Sequence, residues 1–137
     1  MLIYAGIGSR ETPLAVLQEM EIMATRYRQE NMILRSGGAK GADQAFEKGA
    51  GWKKEIFLAS DVTDEAIEFT SKYHPNWKAC KPYARALHGR NAMIILGKNL
   101  DTPVDFVVCW TKDGKDSGGT GQAIRIAWDH KIKVFFL

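Results

Sequence analysis

Five short apolar runs separated by amphipathic stretches outline this chain. The first, Met1-Leu2-Ile3-Tyr4-Ala5-Gly6-Ile7-Gly8, has no polar alternation, as suits a strand covered on both faces. Thr12 then offers a helix cap with Pro13 at the first helical position, and Val16, Met20, Met23 and Tyr27 recur at helical spacing as far as Gln29-Glu30. A second run, Asn31-Met32-Ile33-Leu34, leads through Arg35-Ser36-Gly37-Gly38-Ala39-Lys40-Gly41-Ala42-Asp43 into a helix whose buried face carries Ala42, Ala45, Phe46 and Gly49. That helix closes near Gly49-Ala50-Gly51, and Lys54-Glu55-Ile56-Phe57-Leu58 reads as a third strand. A polar helix is expected from Ser60 to Lys72, with Val62, Ala66, Phe69 and Tyr73 inward. After a loop from Tyr73 to Tyr83, helical spacing resumes from Ala84 to Leu96 through Leu87, Asn91, Ile94 and Ile95. Val104 to Trp110 is a fourth strand, almost wholly β-branched or aromatic. Gly118-Gly119-Thr120-Gly121 introduces a last helix with Thr120, Ala123, Ile124 and Ala127 inward, and Ile132 to Leu137 closes the chain as a fifth strand.

Strands that alternate with helices predict an α/β fold: a Rossmann-like, doubly wound, mostly parallel sheet with helices on both faces, in one domain over residues 1–137. The expected strand order is 3-2-1-4-5, with the first strand central. Ligands of such sheets bind beyond the carboxyl ends of the strands where the winding reverses, here between the first and fourth. The glycine turns after strands one, two and four therefore meet on one edge.

Those turns carry the candidate chemistry. Gly37, Gly38 and Gly41 let the backbone take positive φ and approach a bound group closely, and the free N–H groups of the following helix carry about half a positive charge. Such a turn suits an anion, most often a phosphate. Lys40 adds a point charge at the lip, and Asp43 in the first helical turn can accept backbone N–H groups and hold the loop. Gly8, Ser9 and Arg10 form the first turn, and Gly118, Gly119 and Thr120 the third. Ser36, Ala39 and the pair Arg90-Asn91 complete the set, Arg90 because its planar fork matches phosphate oxygens. Trp110, at the carboxyl end of strand four, either stacks on a base or fills the core.

Composition narrows the field only a little. With 137 residues, 45% hydrophobic and 26% charged, the chain is in the range of one globular domain. A formal net charge of +3 admits a phosphate-bearing ligand without marking a surface that grips nucleic acid everywhere. No apolar run approaches the ~20 residues that span a bilayer, no charged-then-apolar leader opens the chain, and the cysteines are Cys80 and Cys109. We therefore expect a cytoplasmic protein with free thiols, no membrane partner and no cofactor. His74, Cys80, His88 and Cys109 lack the close pairing of structural zinc motifs, and no base is placed beside either thiol by spacing, so neither metal ligands nor catalytic residues are assigned. The loop Tyr73-His74-Pro75-Asn76-Trp77-Lys78-Ala79-Cys80-Lys81-Pro82-Tyr83 suits either a binding lid or an aromatic plug.

Gly8-Ser9-Arg10, Ser36-Gly37-Gly38-Ala39-Lys40-Gly41-Ala42-Asp43, Arg90-Asn91, Ser117-Gly118-Gly119 and Val134-Phe135 resemble, in order, the Rossmann-like core of the DprA/Smf family, within the SLOG group of nucleotide-binding domains. The resemblance covers nearly the whole chain, and its second motif, SGxA(R/K)GxD, is the most specific. It implies a domain that binds nucleotides, nucleotide-derived signals or single-stranded DNA through phosphates, akin to small free-standing members from phages and mobile elements. The full recombination mediators carry further domains flanking this core, which these 137 residues do not supply. The LOG phosphoribohydrolases are similar at the glycine turns but carry PGGxGTxxE near the last helix. Here Ser117 replaces the proline, Gln122 the second threonine and Arg125 the glutamate. The leading expectation is a non-catalytic binder of a nucleotide or nucleotide-derived small molecule, acting as a homo-oligomer. The alternatives are a single-stranded DNA binder of DprA type and a nucleotide N-glycosidase using Asp43 or Asp105.

Overall fold

The computed structural model describes all 137 residues. Five parallel strands form one sheet in the order β3-β2-β1-β4-β5: β1 Ile3–Gly8, β2 Ile33–Ser36, β3 Lys54–Ile56, β4 Phe106–Trp110 and β5 Lys133–Phe136. The predicted order and class are those observed. The helices are α1 Leu14–Gln29, α2 Ala42–Ala50, α3 Asp64–Thr70, α4 Pro82–Leu96 and α5 Gly118–Asp129. In register, β1 lies between β2 (Ala5 beside Arg35) and β4 (Gly8 beside Trp110), so the first and fourth strands end level with one another.

The pleat sorts β1 and β4 onto two cores, since alternate side chains leave opposite faces of a strand. Ala5, Ile7, Val107 and Cys109 join α4 and α5 in one cluster, while Tyr4 and Val108 join α1 and α2 in the other. Gly49 lets α2 seat directly on α1: a Cβ there would lie 2.3 Å from the Glu21 carbonyl oxygen and 2.7 Å from the Ala24 Cβ.

Several boundaries move from their expected places. Thr12 is not the cap of α1; its hydroxyl donates to the Ser9 carbonyl oxygen at 2.6 Å, tightening the first turn, and Pro13 takes the cap position. The third strand ends at Ile56, and the expected helix from Ser60 divides into a 3-10 turn at Ala59–Asp61, α3, and a second 3-10 turn at Ser71–Tyr73. Thr63 causes that division by accepting the Ala66 N–H at 3.2 Å and starting α3 afresh. Helix α4 begins on Pro82, whose fixed φ suits a first turn. No helix is long and apolar enough to cross a membrane.

Candidate phosphate-binding cleft

A cleft of about 1190 Å³ opens where the chain segments after β1, β2 and β4 converge. Of the residues singled out in the sequence, Ser9, Arg10, Gly37, Gly38, Ala39, Lys40, Asp43, Arg90, Asn91, Gly118, Gly119 and Thr120 line it. Gly8, Ser36 and Trp110 do not. Gly8 lets the first turn sit on α2, since a Cβ there would lie 2.6 Å from that of Ala42. The buried Ser36 hydroxyl donates to the Gly6 carbonyl oxygen at 2.6 Å, fastening β2 to β1. Trp110, expected either to stack on a base or to fill the core, follows the pleat of β4 onto the Tyr4 side of the sheet and packs with the α1 and α2 core, outside the cleft lining.

The first two turns touch each other. Gly41 has φ +88°, and a Cβ on it would come within 3.0 Å of both Arg10 Cα and the Ser9 carbonyl oxygen. Gly38, at φ +73°, also takes the left-handed region that glycine tolerates. Arg10 and Lys40 project from this joint as exposed cations without an ion-pair partner, beside the exposed Lys112, which is 3.8 Å from an equally exposed Glu11. A surface pair of that kind contributes little, leaving Lys112 available.

Behind the second turn the chemistry is buried. Asp43 is 6% exposed and accepts the Ala39 N–H on Oδ2 at 3.3 Å. Arg90, 8% exposed, donates from Nη1 to the Gly37 carbonyl oxygen at 2.8 Å and to that of Phe57 at 3.4 Å, while its Nε donates to Asn91 Oδ1 at 3.2 Å. The guanidinium is thus a brace for the loop more than a free phosphate fork. Gly37 is required between them: a Cβ would stand 2.4 Å from Arg90 Nη1 and 2.9 Å from Asp43 Oδ2. Burial pushes the Asp43 carboxyl up to about 6, against the opposing pull of Arg90 and the loop amides. Burial likewise lowers Arg90 from its usual value, with Asp43 acting the other way.

The third turn is built differently. It is the first turn of α5 itself, with Gly118 at φ +66° and open space around the Cβ positions of both Gly118 and Gly119. Asn91 Nδ2 donates to the Gly119 carbonyl oxygen at 3.2 Å, and Ser117 Oγ donates to Asp113 Oδ1 at 2.7 Å. The latter bond first, then the Lys115 amide, holds the Asp113 carboxyl below its ordinary range.

Tyr83, singled out in the sequence only as the end of a loop suited to a lid or a plug, is 68% exposed and lines the cleft, as do Leu58 and His88. The Tyr73–Tyr83 loop thus reaches the cleft by its last residue, while Tyr73 packs on Phe69 and Trp77 lies under the Arg85 guanidinium. Of the carboxylates considered for glycosidic chemistry, Asp105 is at the opposite edge of the sheet, where Oδ2 accepts the Ile3 N–H at 2.8 Å. Arg125 is turned away from the cleft and donates to the Tyr73 and Asp116 carbonyl oxygens at 3.1 and 3.0 Å. Asp43 and Glu11 are the carboxylates that remain in the lining. Both thiols are free, as expected, and one has a neighbouring base that spacing did not place. Cys109 is buried in the core, but Cys80 has His74 beside it, with Nε2 3.5 Å from Sγ.

Sheet order, helix placement and the cleft at the reversal of winding define a Rossmann-like α/β domain. Among solved structures, the chain is similar to DNA processing protein A from Helicobacter pylori, with a TM-score of 0.72 and 18% identity over 98% of this chain and 64% of that one. That structure was described for its single-stranded DNA binding mode. The fold is thus a DprA-like one, and the chain spans less than two thirds of that neighbour's length. No protein-family model matches the chain, and no curated protein matches it.

Proposed function

We propose that the cleft binds single-stranded DNA through its phosphates. The observation that carries this reading is the joint between the first two glycine turns, which sets Arg10 and Lys40, exposed and unpaired, at the mouth of a cleft lined by backbone at two helix starts. The volume of about 1190 Å³ exceeds the usual range for one small ligand, about 300–1,000 Å³, and so suits more than one nucleotide. Exposed Tyr83 supplies an aromatic face for a base, a contact worth about 1–3 kcal/mol in single-strand binders. The fold likeness to a protein described for single-stranded DNA binding supports the same reading.

Fluorescence anisotropy with a labelled oligothymidylate across a salt series tests it. With Arg10, Lys40 and Lys112 each meeting one phosphate, log affinity falls against log salt with a slope of about −2. Absent or salt-insensitive binding removes the proposal. A second reading, capture of a free nucleotide or nucleotide-derived signal, is favoured by the compactness of the joint, where a Gly41 Cβ would be 3.0 Å from the Ser9 carbonyl oxygen. It predicts that mononucleotides raise the melting temperature and that oligonucleotides add nothing to the shift. Association of two copies that joined their cationic rims would extend the track, and sedimentation equilibrium with and without oligonucleotide measures it.

A further inference from the structure

The loop between α3 and α4 folds two of its side chains against one on α4, three residues that chain spacing alone keeps apart. His74, Cys80 and His88 each offer a ligand atom, and these atoms all lie within 4.8 Å of one another. We propose that they form a transition-metal site of His₂Cys type, suited to Zn²⁺, with a fourth position left to water.

The dimensions fit. Zinc bonds of about 2.0–2.1 Å to nitrogen and 2.3 Å to sulfur place tetrahedral ligand atoms roughly 3.3–3.6 Å apart. His74 Nε2 and Nδ1 are 3.5 and 3.7 Å from Cys80 Sγ, already near that range. The rings of His74 and His88 have centroids 4.8 Å apart, so modest rotation closes the remaining gap. All three residues are half-buried, which shields the site yet leaves an entry path.

Unmet hydrogen bonding supplies a second, independent sign. Nδ1 of His88 and Oε1 of Gln122 are both buried without a partner. Gln122 on α5 is a neighbour of the His88 imidazole on α4. A metal on the other ring nitrogen would fix the tautomer that carries its proton on Nδ1, and Gln122 Oε1 would then be an acceptor in the place that a carboxylate or backbone carbonyl commonly takes beside a ligating histidine. Gln122 is itself held, since its Nε2 donates to the Thr70 carbonyl oxygen at 3.0 Å.

Ligation also has a local cost, which makes it visible. His74 Nδ1 now accepts the Asn76 amide at 3.0 Å. Coordination through Nδ1 takes that lone pair, and coordination through Nε2 puts the proton on Nδ1, so either route breaks the contact. The Cys80 thiol, which points to the Asn76 carbonyl oxygen at 3.7 Å, gives up its proton to solvent. No change of oxidation state is involved. Because His88 lines the cleft, the metal would pin the Tyr73–Tyr83 loop against one of its walls.

The full chain, stripped with chelator, is titrated with Co²⁺ and then Zn²⁺. One equivalent of Co²⁺ should give tetrahedral visible bands and a thiolate charge-transfer band, which one equivalent of Zn²⁺ displaces. Cys80→Ser retains Cys109, so loss of the charge-transfer band in that variant assigns the sulfur, whereas its survival overturns the proposal. His88→Gln and His74→Gln should each weaken Zn²⁺ at least tenfold, with circular dichroism reporting that the fold persists. Substoichiometric binding, or unchanged affinity in the well-folded His74→Gln, also overturns it. In ¹⁵N spectra the Asn76 amide should shift on Zn²⁺ addition, and an unmoved signal at one bound equivalent counts against this geometry. None of these readouts needs nucleic acid, so the site stands or falls separately from the proposed function.

Discussion

The two walls of the cleft are made from similar residues and built in opposite ways. On the β2 side, the Gly37 to Asp43 turn is clamped from behind by Arg90 and Asp43, and the Gly37 α-carbon has no room for a methyl group. On the β4 side, Gly118 and Gly119 begin α5 in open space, with one side-chain bond from Asn91 to steady them. Glycine is thus demanded by crowding in one wall and left with free space in the other. A rigid wall presents fixed amides to a phosphate, and a free wall can adjust to whatever is attached to it.

The sharpest way to break this contrast is to remove the clamp. Arg90→Met takes away the bonds to Gly37 and Phe57 and leaves Asp43 buried without its neighbouring cation, which should cost about 3 kcal/mol in chemical denaturation. No equivalent loss is expected from Asn91→Ala on the other wall.

A pH series probes the same clamp. Asp43 is raised from 3.8 to about 6, so the folded state holds its proton more tightly than the unfolded chain. Its contribution to stability is then fully present below about pH 4 and lost as pH rises through about 6, an effect of roughly 3 kcal/mol or less. Unfolding of wild type against Asp43→Asn isolates it, since all other titrations cancel. A flat difference across that window contradicts the burial assigned to the carboxyl. Oligonucleotide affinity should also rise as pH falls through about 6, because the proton removes a negative charge from the lining.

Paired alanine substitutions sharpen the comparison directly. Gly37→Ala should cost about 1–3 kcal/mol through overpacking, and Gly119→Ala should stay within about 0.5 kcal/mol. Equal effects would erase the distinction between the walls. On the ligand side, Tyr83→Ala should weaken oligonucleotide binding by about 1–3 kcal/mol with stability unchanged, as expected for an exposed ring. The smallest effect is that of Lys40→Ala, which should flatten the salt slope by about 0.7.

Much of the fold was legible because its signals are local. Unalternated apolar runs ending in glycine announce buried parallel strands, and their alternation with helical stretches leaves few topologies. The gathering of three turns on one edge follows from that topology, and twelve of the fifteen residues singled out do line the cleft. What was not legible depends on distant partners. Arg90 looks like a free fork in sequence, and only its approach to Gly37, 53 positions away, turns it into a brace. Trp110 could have been placed by parity, since it shares the pleat of Val108 and not of Cys109. His74, Cys80 and His88 gave no spacing signal because the start of α4 and a 3-10 turn at Trp77–Ala79, not a short motif, fold them together.

The bare α-carbon of Gly49 has a reach beyond its own neighbourhood. Helix α2 is a rod of about 13 Å, and its far end carries Asp43 and the amides of the second turn. A methyl group at Gly49 would wedge the rod away from the Glu21 backbone and, by leverage, swing those amides at the opposite tip. The geometry at the mouth of the cleft is thus set by a helix crossing at its rear.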